Sequence, residues 1–317
     1  MRLGTLTALL SVFISVAGST MAQEKTNIIL GTATPGGGFP LYGDALIAAV
    51  TAVDPTLSIE PRNTKGSTEN IPLLEADKLD IALVQGEPAY EALMGIGRPR
   101  ANLKIITAMY STAGMFVVRA DSPYHSIRDL VGKPVAFGAR GSGLVILSRY
   151  VLDGIGLDQD KDFQAVYLDR AGDGPTMVLD GRVAALWGGG LGWPGFTTVA
   201  QSEKGARFIA PNAEEATRIR AKHSFLKALT IPAGGYPGIN APIQSVGSWS
   251  FVLARPTLSD DVAYRLAGAI HRGQANVAKR LPQGAETTMA NTVAAAPNTD
   301  LIHPGVARYL REIGALK

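Results

Sequence analysis

Three segments place glycines and hydroxyl groups directly after an apolar strand and directly before an amphipathic helix. Ile28-Ile29-Leu30 runs into Thr32 to Gly38, Pro134-Val135-Ala136-Phe137 into Gly138 to Gly143, and Val183 to Trp187 into Gly188-Gly189-Gly190. Glycine lets a ligand approach the backbone, and the free N–H groups of a helix start hold a carboxylate or other anion. The chemistry is that of binding, and the candidate contacts are Gly36, Gly37, Gly38 and Phe39 in the first loop, Gly141, Ser142 and Gly143 in the second, and Gly188 and Gly189 in the third. Arg140, beside the second helix start, offers a planar bidentate partner for a carboxylate, or else an exposed shield over the loop. Ser67, Thr68 and Asn70 stand where they either cap a helix or reach a ligand. Gln85 and Tyr110 end strands that face the same cleft, and Trp187 serves as an apolar wall or as core.

Motifs for other chemistries fit less well. Gly190-Leu191-Gly192-Trp193-Pro194-Gly195 matches G-x-G-x-x-G literally, but Trp193 and Pro194 would occupy the tight pyrophosphate turn. Gly138-Ala139-Arg140-Gly141-Ser142-Gly143 has the glycines of a phosphate loop without its Gly-Lys-Ser/Thr ending, which suits an anion without the nucleotide. The four histidines, at 125, 223, 271 and 303, have no metal-type partner at i+2 to i+4. Ser142 lacks a G-x-S-x-G elbow. Asp169, Asp173 and Glu69 are carboxylates whose loop positions are equally explained by turns and caps. No cofactor or metal is expected.

The elements that must carry these loops alternate between strand and helix. Strand Asn27 to Thr32 leads to a helix from about Pro40, with Leu41, Ala45, Leu46, Ala49 and Val53 on one face. Leu57 to Arg62, a helix facing Ile71, Leu74 and Leu79 inward, and the buried strand Asp80 to Gln85 follow. Lys104 to Tyr110 and Met115 to Arg119 read as two strands separated by Ser111-Thr112-Ala113-Gly114. The alternation restarts near residue 120, with strand Lys133 to Gly138 and a helix capped by Ser142 or Gly141. Strand Val246 to Ala254 and two closing helices, one capped by Ser259 and one around Val306 and Leu310, complete the chain. Strands joined by helices imply right-handed crossovers and a mostly parallel sheet. Two lobes follow, with crossings near Met115 to Arg119 and Val246 to Ala254 that make a hinge, and ligands lie beyond the carboxyl ends of the strands.

Composition agrees with this class. The 317 residues are 46% hydrophobic and 18% charged, with no cysteine, and length alone gives roughly two domains. Arg2, the apolar run Leu3 to Ala17 and Gly18 to Ala22 read as a secretory signal over residues 1–22, which implies export to the periplasm. A membrane anchor would need about 18 to 20 uninterrupted apolar residues, and Thr5, Thr7, Ser11 and Ser15 interrupt this run. The net charge of +3, carried by dispersed Lys and Arg, argues against nucleic acid as a partner.

Gly31 to Gly43, Thr64 to Asn70, Leu79 to Gln85, Gly138 to Gly143 and His303-Pro304-Gly305 resemble, in order and spacing, the TAXI family of TRAP-transporter solute-binding proteins. The resemblance covers nearly the whole chain after residue 22. It implies an α/β type II periplasmic-binding-protein fold, two-lobed, with mixed, mostly parallel sheets and a hinge cleft between lobes. Residues 23–114 and 255–317 would form one lobe and residues 115–254 the other. It further implies a monomer that closes on a small solute, a carboxylate or glutamate-like amino acid, and hands it to an integral-membrane TRAP permease. Ligand contacts are implied at Ser67, Thr68 and Asn70. The chain departs from the family where the usual aromatic pair appears as Phe39-Pro40 and where Arg140 replaces a proline. The same fold also serves ABC importers of sulfonates, phosphonates or thiamine precursors.

Overall fold

A computed structural model describes residues 25–317, so the expected signal segment lies outside the described residues. The first half of the chain runs β1 (Thr26–Gly31), α1 (Gly38–Val53), β2 (Leu57–Arg62), α2 (Ser67–Glu75), β3 (Ile81–Val84), α3 (Gly86–Met94) and the long β4 (Lys104–Arg119). A second series follows: β5 (Pro134–Ala139), α4 (Gly143–Gly154), β6 (Gln164–Leu168), α5 (Gly174–Leu179), β7 (Ala185–Gly189), α6 (Pro194–Ala200), β8 (Ala206–Ile209), α7 (Ala213–Lys222) and β9 (Lys227–Ile231). The chain ends with β10 (Ile243–Ala254), α8 (Asp260–Arg280), α9 (Met289–Ala295) and α10 (Pro304–Glu312).

The α/β class expected from the sequence holds, with a mixed sheet. The strand order is β2-β1-β3-β10-β4-β7-β5-β6, with β8 added to β4 and β9 to β10. Both flanks are parallel: β1 pairs with β2 and β3, and β5 with β6 and β7. The two long strands, β4 and β10, run antiparallel to their neighbours and tie the flanks together. Segments expected to be parallel are those joined by crossover helices, which is where the parallel pairs occur.

One expectation is corrected here. Lys104 to Tyr110 and Met115 to Arg119 form a single strand, because Ser111 to Gly114 stay extended. Thr112 and Ala113 are paired with Ser248 and Gly247, and Gly114 and Met115 with Gly189 and Gly188. The hydroxyls and glycine that look like a turn in the sequence instead mark the point where β4 changes neighbours. At Gly114 a side chain would stand 2.6 Å from the Trp187 ring, so glycine keeps the strand flat against that indole.

The apolar interior divides along the same line. One cluster joins Ala113 to Val118 with Phe137, Leu147, Trp187, Phe196, Ile231 and Val246. Two others gather residues of β1, β3, α1, α8 and α10, and of α2, α3 and β10. Local signals fix the helix starts that matter: Ser142 accepts from the Leu144 amide (3.1 Å) and caps α4, and Ser259 caps α8. No helix among the described residues is long and apolar enough to cross a membrane.

Candidate functional site

The carboxyl ends of β1, β2 and β5 lead to the starts of α1, α2 and α4 at one small cavity of about 50 Å³, and the end of β3 adds Gln85. Gly37 caps α1 with no side chain, Gly66 does the same for α2, and Pro40 has no N–H to offer. First-turn amides have no acceptor within their own helix, and at the start of α4 Ser142 satisfies Leu144 through its hydroxyl and Val145 through its carbonyl. The amides of Gly38, Phe39 and Gly143 are thereby left without a partner among the described residues, at the positive ends of two helix dipoles.

Side chains complete the wall. The Tyr110 hydroxyl and Trp193 Cδ1 both lie 3.3 Å from where a Gly38 side chain would begin, so the absent side chain leaves these two groups on the cavity. Burial pushes the Tyr110 phenol up, which keeps it neutral and able to donate. Ser67 accepts from the Gln85 amide (3.0 Å), leaving its hydroxyl proton for another acceptor. Lys65 is the one charged residue on the wall, and no carboxylate lines it. A buried acid, Glu87, stands two residues past the wall residue Gln85. It accepts from Gln85 Nε2 (2.9 Å) and from Ser248 Oγ (2.5 Å), and burial raises its pKa to about 7.

Glycine appositions close the cavity on its outer side. Gly36 (φ +82°) and Gly66 (φ +115°) adopt backbone conformations that favour glycine. A side chain at Gly36 would meet Gly172 Cα at 2.6 Å, and one at Gly66 would meet Gly141 O at 2.9 Å. Thr68 N and Oγ1 both donate to Gly141 O (3.2 and 3.1 Å), and Ala171 N donates to Thr34 Oγ1 (3.2 Å).

The residues singled out from sequence therefore separate into two sets. Gly37, Gly38, Phe39, Ser67, Gln85, Tyr110, Ser142, Gly143 and Gly189 line the cavity. Gly36, Thr68 and Gly141 form the clasp just described. Asn70 is buried beneath the site, its Nδ2 joining Thr32 O and Leu83 O (2.8 Å each), which ties the ends of β1 and β3. Trp187 is core: Nε1 donates to Leu144 O (2.9 Å) and the ring packs edge-on to Phe116. Gly188 makes room for the Trp193 ring. Arg140 is exposed, with its guanidinium 5.3 Å from the centre of the Tyr167 ring, away from the cavity.

Sequence reasoning missed Thr34, Lys65, Thr112, Ala171 and above all Trp193 as wall residues. Trp193 lies in the G-x-G-x-x-G match, where Gly190 and Gly192 take positive φ and turn the chain so that Trp193 precedes α6. Its amide donates to Tyr236 Oη (2.7 Å), which in turn donates to Gly190 O (2.7 Å). A tryptophan held between two left-handed glycines and a helix-starting proline was the available signal. With Pro194 at the first helical position, the motif positions an aromatic rather than a pyrophosphate.

A second, larger cavity of about 350 Å³ lies beside α3, lined chiefly by Tyr90, Met94, Phe225, Trp249, Phe251 and Pro297. Tyr90 and Phe225 stack there with centroids 4.3 Å apart. One helix start without a side-chain cap, that of α3 at Gly86, borders it, against the two that meet on the smaller cavity. Among the described residues no three His, Cys, Asp or Glu side chains are grouped to hold a metal.

Solved structures share this fold at low identity. The periplasmic aliphatic sulphonate binding protein SsuA from Escherichia coli is 18% identical, with 90% of this chain and 78% of that one covered and a TM-score of 0.50. A TctC solute binding protein from Polaromonas is 15% identical, over 94% of this chain and all of that one, with a TM-score of 0.51. A protein from Bordetella bronchiseptica RB50 is 13% identical, over 91% and 98%, with a TM-score of 0.58. These likenesses establish the type II periplasmic-binding-protein fold. The profile of the NMT1-like family matches residues 30–314, and the chain belongs to that family.

Proposed function

We propose that this protein is an extracytoplasmic solute receptor that binds a small organic anion or amino acid and delivers it to a membrane permease of the TRAP type. The observation that carries the reading is the meeting of two helix starts, with free first-turn amides at Gly38, Phe39 and Gly143, on one small cavity with no acidic wall residue. Such a cavity favours an anion, because backbone donors and helix dipoles are already oriented toward it. It offers no nucleophile with a base at hand, so the site binds rather than reacts.

Residues 23–114 with 255–317 form one lobe and residues 115–254 the other, closing about β4 and β10. The change of partners at Gly114 supports the boundary within β4, while the core places Val246 of β10 with the second lobe and Val252 and Ala254 with the first. The clasp of Gly36 on Gly172 and Gly66 on Gly141 is then the closed state, which a ligand holds shut. The TRAP assignment rests on the TAXI resemblance. A receptor for an ABC importer of a sulfonate is the second reading, since SsuA shares the fold and the cavity donors suit a sulfonate as well as a carboxylate.

A thermal-shift panel of carboxylates, amino acids and sulfonates tests the proposal. A ligand confined to the folded, closed form stabilises it by about 2.7 kcal/mol at a hundredfold excess over Kd. A panel without any stabiliser, or scattering curves that superimpose with and without one, would refute respectively the receptor and the hinge.

A further inference from the structure

Glu87 is a wholly buried carboxyl that the binding wall does not use, yet it governs a group that does. Gln85 immediately precedes α3 without capping it through its side chain, which stands between Glu87 and the cavity. Nε2 donates to Glu87 Oε2 at 2.9 Å, while Oε1 lies on the Gly143 side, 3.1 Å from where a Gly143 side chain would begin. Ser248 holds the other carboxyl oxygen through its hydroxyl, at 2.5 Å. An ionised carboxylate only accepts, so it fixes the amide with NH₂ toward Glu87 and C=O toward the ligand. A protonated carboxyl donates, and its O–H is satisfied by the amide turned the other way, with NH₂ toward the ligand.

We propose that Glu87 is a positioning residue that sets, through Gln85, the hydrogen-bonding polarity the cavity shows to its solute. With Glu87 ionised, the wall presents an acceptor and selects a solute that carries an N–H donor, such as an ammonium, beside its anionic group. With Glu87 protonated, the wall presents a donor and selects a solute that carries a further acceptor there. The exchange occurs within a reachable pH range, because burial sets the Glu87 pKa near 7. The ionisable groups around Glu87 leave that range in place. Glu91, one turn along α3, adds a like charge that is shared with the Tyr150 hydroxyl of α4 (2.8 Å). From β10 come Ser248 and Trp249, and β3 is entirely apolar. Among cationic residues, Lys65 shares the cavity wall with Gln85, Lys227 lines the larger cavity, and His223 is paired with Asp153 (2.7 Å). The inference rests on reading the cavity as the solute site, but its test needs no solute.

Nuclear magnetic resonance on the 33.3 kDa protein, labelled with ¹³C in the glutamate carboxyls and ¹⁵N in the glutamine side chains, reads the relay from pH 5 to pH 9. The expected result is one shared midpoint for the Glu87 carboxyl and the Gln85 amide. Contacts of the Gln85 amide protons should also move from Ser248 at high pH to the Gly143 amide proton at low pH. In Glu87→Gln the Gln85 signals should lose that titration. Gln85 signals that ignore the Glu87 midpoint, amide contacts that never change, or a Glu87 that does not titrate in this range would each overturn the relay. Wild-type protein alone decides the question if the variant does not fold. Failure of the relay leaves the receptor reading standing, since the thermal-shift panel judges that separately.

Discussion

Two cavities of this molecule differ in what lines them: the smaller, about 50 Å³, gathers the free amides of two helix starts, and the larger, about 350 Å³, is lined chiefly by aromatic and aliphatic side chains. They lie on either side of one buried relay, Gln85 to Glu87 to Ser248, with Gln85 on the first wall and Ser248 on the second. Size would favour the larger as a ligand site, since about 300 Å³ is the lower end of ordinary small-molecule pockets. The chemistry favours the smaller. Its wall gathers the free amides of two helix starts with Lys65 and no carboxylate, whereas a single helix start, at Gly86, borders the larger cavity. A closed receptor should show a cavity shrunk to its solute, so small volume is what closure produces.

The contrast breaks first at Gly143. A methyl there would sit 2.4 Å from Gln85 Cβ and 2.9 Å from Ser67 Oγ, both from the opposite lobe as proposed. Gly143→Ala should hold the lobes apart and weaken binding of the solute found by thermal shift at least a thousandfold, about 4 kcal/mol. Met94→Ala, at the rim of the larger cavity, should leave Kd within about threefold, on the scale of a few tenths of a kcal/mol expected for surface changes. Calorimetric titration of both variants checks the pair. The reverse pattern, a silent Gly143→Ala and a damaging Met94→Ala, would move the site.

The wall between the cavities gives the next effect. The pKa of Glu87 is raised from 4.5 to about 7 by burial, so the folded state binds a proton that the unfolded state has released between those values. Stability is therefore greatest below pH 4.5, falls as pH rises toward 7 and levels off above. The loss is bounded by about 3 kcal/mol, at 1.36 kcal/mol per pH unit. His303 acts with the opposite sign: burial lowers its pKa, so its contribution is lost as pH falls through the usual histidine range. Melting curves of wild type and Glu87→Gln across pH 4.5 to 8 isolate the acid, because both proteins retain His303. Parallel curves would show that Glu87 carries no such penalty.

The same contrast explains what could be read from sequence. Gly37, Gly38, Ser142 and Gly143 announce themselves, because a glycine or serine between an apolar strand and a helix has a local reason to be there. The strand alternation likewise carried the α/β class. Glu87 has no such signature: the partner that buries it, Ser248, is 161 residues away, and the sequence gives no sign that β10 will pass over the start of α3. The missing helix α3 shows the same limit, since Gly86 and Pro88 open it and only nine residues form it. Trp193 was hidden by a literal motif match, and the continuity of β4 through Ser111 to Gly114 by residues that look like a loop. Side-chain direction is the least legible property of all, and Arg140 is its plainest case.

Arg140 gives the smallest expected effect and the finest test of the smaller cavity. From sequence it stands beside the start of α4, where a guanidinium could pair with a carboxylate. In the structure its backbone amide donates to Leu168 O (3.0 Å), and its exposed side chain turns outward over Tyr167. A cation over a phenol ring at an exposed site contributes about 0.5 to 1 kcal/mol to the fold, and nothing to a ligand on the other side of the loop. If the amides of Gly38, Phe39 and Gly143 hold the anion alone, Arg140→Ala should change the calorimetric affinity by less than about 1 kcal/mol, and Arg140→Lys by no more. If the arginine swings inward on closure over the solute, Arg140→Ala leaves a buried anion without its counter-charge and costs about 2 to 5 kcal/mol, of which lysine restores only part. A tenfold or greater loss in Arg140→Ala, partly rescued in Arg140→Lys, would therefore return the guanidinium to the site and make the helix starts its auxiliaries.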